Sequence, residues 1–258
     1  MQKQEKDLIA RIAAGEKLTA DTPLPAGYRS ELMRLMVVFA DSELAGAAGF
    51  CTFVNRGPGL RERIVAAKIV AEKYVHAEMV LHLLQAFGVN PDLYVRSHAW
   101  DARLDRDLDL GTRRIGGDKR LNVFHHPLEG WEDAVVFNML MGRATAIQLA
   151  EMTDCSYTPL AKAITQILPR EEEHARLGEA GTRDAIERRG SDANRASAQA
   201  AVDYWLPRVA ATFGRVESDH AARYVDYGLR RRDNAAMLAD WKQQTTAALK
   251  RLNLKPSV

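Results

Sequence analysis

Residues 164–174 read ITQILPREEEH, and the fold class turns on this run. Ile164, Ile167 and Leu168 recur three and four apart, the spacing that lines one face of an α-helix. Glu171 and His174 continue that face. A charge on an apolar helix face must be paired or bound to metal once it is buried. Glu and His at i and i+3 point the same way and can ligate one ion together. The predicted helix opens with Thr158 as N-cap and Pro159 in its first turn, and it reaches about Arg189 before Gly190. Pro169 is expected to kink it near the middle.

Three more helices precede it. One runs from about Tyr28 to Val54 and carries Glu43 on the stripe Phe39, Glu43, Ala47, Phe50. The next runs from about Leu60 to Phe87, with Ile69, Lys73, His76, Val80, Leu83 and Phe87 inward and Gly88 as its stop. The third spans about Glu132 to Thr153, and further helices are expected over roughly 192–213 and 233–252. Alternating β-type patterning is nearly absent. The long irregular link over 89–130 fits the crossover of a ferritin-like bundle. The expected fold is therefore all-α: one domain over 1–258, a ferritin-like four-helix core over about 28–190, and additional C-terminal helices over about 192–252.

Composition narrows the function classes. The chain has 258 residues, 47% of them hydrophobic, with 36 Lys+Arg against 34 Asp+Glu and a formal charge of +2. That balance excludes a disordered chain and leaves no electrostatic footprint for nucleic acid. The longest stretch without Asp, Glu, Lys or Arg is Met79 to Pro91, 13 residues, too short to cross a bilayer. The opening MQKQEKDLIARIAAGEK has no apolar signal core. Two cysteines, Cys51 and Cys155, cannot form a disulfide framework and read as small core residues. A cytoplasmic protein with no nucleic-acid or membrane partner is expected.

In ferritin-like carboxylate proteins two helices each give one carboxylate and two others each give E-x-x-H. Glu43, His76, Glu171 and His174 occupy such positions. Around them the sequence resembles the catalytic A-subunit family of the phenylacetyl-CoA ring-epoxidising oxygenases. The resemblance is carried by Pro25-x-x-Tyr28-Arg29, Ser42-Glu43, Pro58 through Leu60-Arg61 to His76, Trp131-x-Asp133, and Ser156-Tyr157-x-Pro159 through Glu171-Glu172 to His174. It covers roughly Pro25 to Gly214, and more faintly Gly228 to Pro256. It implies a ferritin-like subunit that inserts one oxygen atom into an aromatic acyl-CoA thioester. It further implies two irons, a partner reductase, and other ferritin-like subunits in a homo- or hetero-oligomer.

Two of the six ligands that the resemblance implies are replaced. The helix-two glutamate is Lys73, and the helix-three carboxylate falls at Gly142. Two carboxylates and an ammonium leave the site near −1, too little to hold two divalent ions in a low-dielectric interior. At most one iron or manganese ion is expected, or none. Three readings stay open. Lys73 bridges Glu43 and Glu171 as a structural ion cluster, suiting a non-catalytic subunit beside a catalytic ferritin-like partner. Alternatively, one metal survives on Glu43, His76, Glu171 and His174, suited to oxygen chemistry. Or a desolvated Lys73 is itself catalytic. Glu72, four residues before His76, is the register alternative. A flat apolar surface on the first three bundle helices would favour the structural subunit.

Other candidates read as background. Asn138 and Thr145 flank Gly142 as polar core fillers, and Tyr74 reads as packing. His125 and His126 fall in a surface loop, while His82, His98 and His220 have no matching partners. Arg113-Arg114, Lys119-Arg120 and Arg230-Arg231-Arg232 read as solvated faces that could meet CoA phosphates. Trp205 and Trp241 read as packing for the C-terminal helices.

Overall fold

The computed structural model describes residues 3–111, 113, 115–188 and 191–256. Among them are nine α-helices: α1 (Lys3–Ala13), α2 (Ala26–Cys51), α3 (Leu60–Gln85), α4 (Pro91–Arg96), α5 (Gly130–Ala150), α6 (Thr158–Glu187), α7 (Ser191–Ala210), α8 (Asp219–Asp226) and α9 (Asn234–Arg251). The β-structure among these residues is one isolated bridge between Leu18 and Tyr157. The chain is an all-α, ferritin-like bundle: α2, α3, α5 and α6 form its core, with α2 paired to α3 and α5 to α6. Residues 86–129, with the short α4, make the crossover between the pairs.

The helix ends follow local chemistry. Gly88 takes φ +89° just beyond α3, a conformation without penalty only for glycine. Asn90 caps α4 by accepting from the Leu93 N–H at 3.1 Å. Pro169 lies inside α6 without ending it. Three helices go beyond the sequence expectation, counting α4 in the crossover. α1 buries Leu8 alone among its residues, and α8 follows a Ser218 cap. The expected stop at Arg189 and Gly190 lies outside the described residues.

α2 with its following turn, Ala26–Arg56, is long and apolar enough by composition to cross a membrane, yet half of its most apolar window is buried. It also buries Glu31, Asp41 and Glu43, which marks a core helix. Asp41 accepts from the Tyr94 hydroxyl at 2.8 Å and the Lys119 N–H at 2.5 Å. Ser42 accepts from the Leu121 N–H at 3.1 Å. These bonds pin the crossover over α2 beside Glu43.

On the other side, α7 packs on α5 through Trp205, whose indole N–H donates to Asp133 Oδ1 at 2.8 Å and whose ring lies 4.5 Å from Phe137. Asp133 also takes Arg106 in two bonds of 2.7 and 3.1 Å. The Trp241 indole of α9 donates to Leu140 O at 3.0 Å. Both tryptophans therefore pack the C-terminal helices onto α5.

α5 and α6 touch through backbone. A Cβ at Gly142 would lie 2.9 Å from Ala175 Cα and 3.0 Å from its N, and one at Gly178 would overlap the Met139 backbone. Interiors at native density have no slack for such atoms. Gly178→Ala is therefore expected to cost about 1–3 kcal/mol or more, read from urea unfolding. Gly116→Ala, with open space around its site, should leave the midpoint in place.

Candidate functional site

α2, α3 and α6 bring Glu43, Lys73, His76 and Glu171 together in the bundle interior, all buried. Lys73 Nζ donates to Glu43 Oε1 at 2.9 Å and to both oxygens of Glu171 at 3.3 Å. His76 Nδ1 lies 2.9 Å from Glu171 Oε1 and 3.2 Å from Glu43 Oε2. The periodicity explains the convergence. Lys73 and His76 are i, i+3 on α3, and Ile69 and Val80 bury the same face above and below them.

His174 is one turn beyond Glu171, its ring stacked on His76 with centroids 5.8 Å apart. Its Nε2 lies 2.8 Å from Glu72 Oε2. Its Nδ1 lies 3.2 Å from Glu171 Oε1, outside hydrogen-bonding alignment, so this buried atom has no hydrogen bond. Glu72 therefore neither replaces Lys73 in the cluster nor points away from it. It grips the far edge of His174, and it also faces Lys68 at 3.8 Å and Arg170 at 3.9 Å. The i, i+4 spacing to His76 flags Glu72 for the wrong histidine.

Electrostatics set the protons. Burial works against the Lys73 ammonium, but the charges of Glu171 and Glu43 outweigh it and raise the lysine above its ordinary value. Burial also pulls His76 down, and its hydrogen bonds to Glu171 and Glu43 outweigh that, taking it up to about 9. Burial pushes Glu171 up, yet the Lys73 charge and the two neighbouring histidines hold it well below the usual carboxylate range. Near neutral pH two carboxylates thus face one ammonium and one imidazolium. A proton on His76 adds one positive charge to the sequence-based sum.

The ligating atoms of Glu43, His76 and Glu171 lie within 4.8 Å of one another, with the Lys73 ammonium among them. Beside the cluster, a cavity of about 30 Å³ is lined by Lys73, Glu171, His174, Asn138, Thr145 and Trp205, among others. That is room for one or two waters. Phe124 of the crossover covers it by lying on Gly46, where a Cβ would sit 3.0 Å from the ring. Asn138 donates to Ala134 O at 3.0 Å and is a satisfied core residue.

Several other sequence readings are corrected. His126 is buried rather than in a surface loop; its Nδ1 meets the Tyr204 hydroxyl at 3.1 Å, and burial with Arg208 nearby drives it down to about 4. Cys51 and Tyr74 are exposed rather than packed inside, whereas Cys155 is buried and its thiol is pushed up to about 11 by desolvation. Arg120 is buried against Asp118 and the Ala99 and Trp100 carbonyls, not on a solvated face. Arg231 and Arg232 are engaged by Glu151, and Arg232 also by Asp240. Arg114 lies outside the described residues. His220, without a partner in the sequence reading, meets the buried Glu31 at 2.9 Å.

A helical bundle of the ferritin-like class, with buried carboxylates and histidines from three of its four core helices converging on one point, is what the fold and site define. Within that class, the chain belongs to the phenylacetic acid catabolic protein family, whose model matches residues 15–257. It is similar to the A subunit of 1,2-phenylacetyl-CoA epoxidase from Escherichia coli (strain K12), at 23% identity over 254 residues. That likeness covers 97% of this chain and 76% of that protein. It is also similar to benzoyl-CoA oxygenase component B of Aromatoleum evansii, at 26% identity over 184 residues, 69% of this chain and 36% of that protein. The chain thus spans about a third of the second relative's length. The first of these relatives is a subunit of an epoxidase and the second a component of an oxygenase.

The charges make stability depend on pH. A histidine raised in the folded state stabilises it fully below its unfolded value near 6.5, and this is lost as pH rises through about 9. Glu171, lowered, stabilises above its ordinary 4.5 and ceases to as pH falls. Unfolding free energy should therefore peak near pH 6.5, because His126, held neutral in the fold, costs stability at lower pH, and should lose up to about 3 kcal/mol by pH 9.5. A flat urea midpoint over pH 6.5–9.5 would show that His76 is neutral in the folded chain. Lys73→Met leaves two buried carboxylates with one cation, and about 3–5 kcal/mol of stability should go with it.

Proposed function

We propose that this chain is a metal-free member of its family, with the bundle interior held by the Lys73 ion cluster in place of two irons. In this reading it is a structural subunit beside a catalytic ferritin-like subunit of a cytoplasmic oxygenase acting on aromatic acyl-CoA thioesters. The observation that carries it is the position of Lys73 Nζ, 2.9 Å from Glu43 and 3.3 Å from Glu171. A dication among those oxygens would stand against an ammonium and an imidazolium in a poorly screened interior. The donor set is also short at the second position. Gly142 has no room for a Cβ against the Ala175 backbone, so α5 offers no carboxylate at that position. Two irons do not fit these residues.

One observation favours a second reading, a single ion on Glu43, His76, Glu171 and His174. His174 Nδ1 is buried without a hydrogen bond, while Glu72 fixes the opposite ring nitrogen, as an outer partner does for a ligating histidine. The two readings differ in metal content. Protein produced with added iron or manganese is expected to hold less than roughly a tenth of an atom per chain, because the Lys73 ammonium already occupies the space among the oxygens a metal would need. Stoichiometric metal by elemental analysis would sink the metal-free reading. Lys73→Glu removes the competing cation and adds a carboxylate. It should gain about one ion per chain, and not two, while Gly142 stays packed.

A further inference from the structure

The outward face of α3 is apolar where a solitary bundle would be polar. Leu60 is 75% exposed, Ile64 60%, Val75 51% and Tyr74 43%. Ala67 and Ala71 are exposed between them. At 100° per residue these six fall within an arc of about 100°, opposite the face that buries Ile69, Lys73 and His76. The spacing 60, 64, 67, 71, 74 alternates four and three, the period of a helix–helix seam. Contiguous exposed apolar patches of this kind mark interaction sites.

The charges around the seam select the occupant. Arg61, Arg63 and Lys68 flank its N-terminal half, and Glu78, exposed, lies in line with it at the C-terminal end. We propose that α3 docks a second copy of this chain, antiparallel, about a two-fold axis near Ala71. That register sets Glu78 of each copy against Ile64 of the other, within reach of Arg61 and Arg63. It sets the large Val75 against the small Ala67, and Tyr74 against the Lys68 stem. Parallel pairing would instead stack Arg on Arg and Glu78 on Glu78. Ala67 and Ala71 at the centre let the two backbones approach closely. An isologous interface needs one self-complementary patch, and a seam basic at one end and acidic at the other is such a patch. The proposal holds whether or not the buried cluster binds metal, since it uses the opposite side of the helix.

Sedimentation equilibrium of the full chain should give twice the chain mass at micromolar concentration. Ile64→Glu places a carboxylate against the partner's Glu78 and should raise the dissociation constant roughly tenfold or more. Adding Glu78→Lys to that variant should restore the dimer, because the facing pair is then of opposite sign. In a Cys51→Ser background, Ala71→Cys should cross-link two copies under mild oxidation. Ile64 is exposed, so circular dichroism should show unchanged helicity in every variant. A single-chain mass at tens of micromolar would overturn the proposal. So would a dimer indifferent to Ile64→Glu, a double variant that stays monomeric, or a face covered only by a different subunit.

Discussion

The ammonium of Lys73 holds the centre of this bundle. It reaches carboxylates from two other helices, Glu43 on α2 and Glu171 on α6, and so ties three core helices at one depth. Without a cation there, two carboxylates would sit close together in the interior with only His76 between them. Burying a charge is costly, and pairing repays it only where the geometry is good and the remaining lone pairs are used. His76 uses them, sharing its Nδ1 between the same two side chains. The same bonds favour a proton on its ring.

The surroundings keep that arrangement enclosed and fixed. The crossover is tied down through Asp41 and Ser42, the residues just before Glu43, and it lays Phe124 over Gly46. α7 closes the next side, with Trp205 anchored on Asp133. Little space remains, about 30 Å³ beside Lys73 and Glu171. Low solvation strengthens each ionic contact, and it makes the loss of any one partner more costly.

Much of this is legible in the sequence. Glu43, Lys73, His76, Glu171 and His174 declare themselves as polar residues on apolar stripes of period 3.6, and the structure places all five within one neighbourhood. What periodicity does not show is depth on a helix that is apolar on both sides. Tyr74 and Cys51 read as packing because α3 and α2 offer no clearly polar face there, and both are exposed. His126 reads as a loop residue because nothing local reveals that Tyr204 and Trp205, nearly eighty residues later, cover it. α1 escapes notice because its apolar stripe is short, with Leu8 buried and only Ile9 and Ile12 half-buried beside it. Gly142 is legible as a missing ligand, but its packing on Ala175 is a fact of the tertiary structure.

That glycine crossing has a consequence for anyone who would rebuild this bundle. Lys73 is a reversible choice, since one side chain can be exchanged for another in the same space. Gly142 and Gly178 are a different kind of commitment, because the volume a carboxylate would need is filled by the main chain of a neighbouring helix. Restoring a donor there means moving α6 away from α5. The shift would carry Glu171 and His174 with it and spoil the positions the new donor was meant to complete.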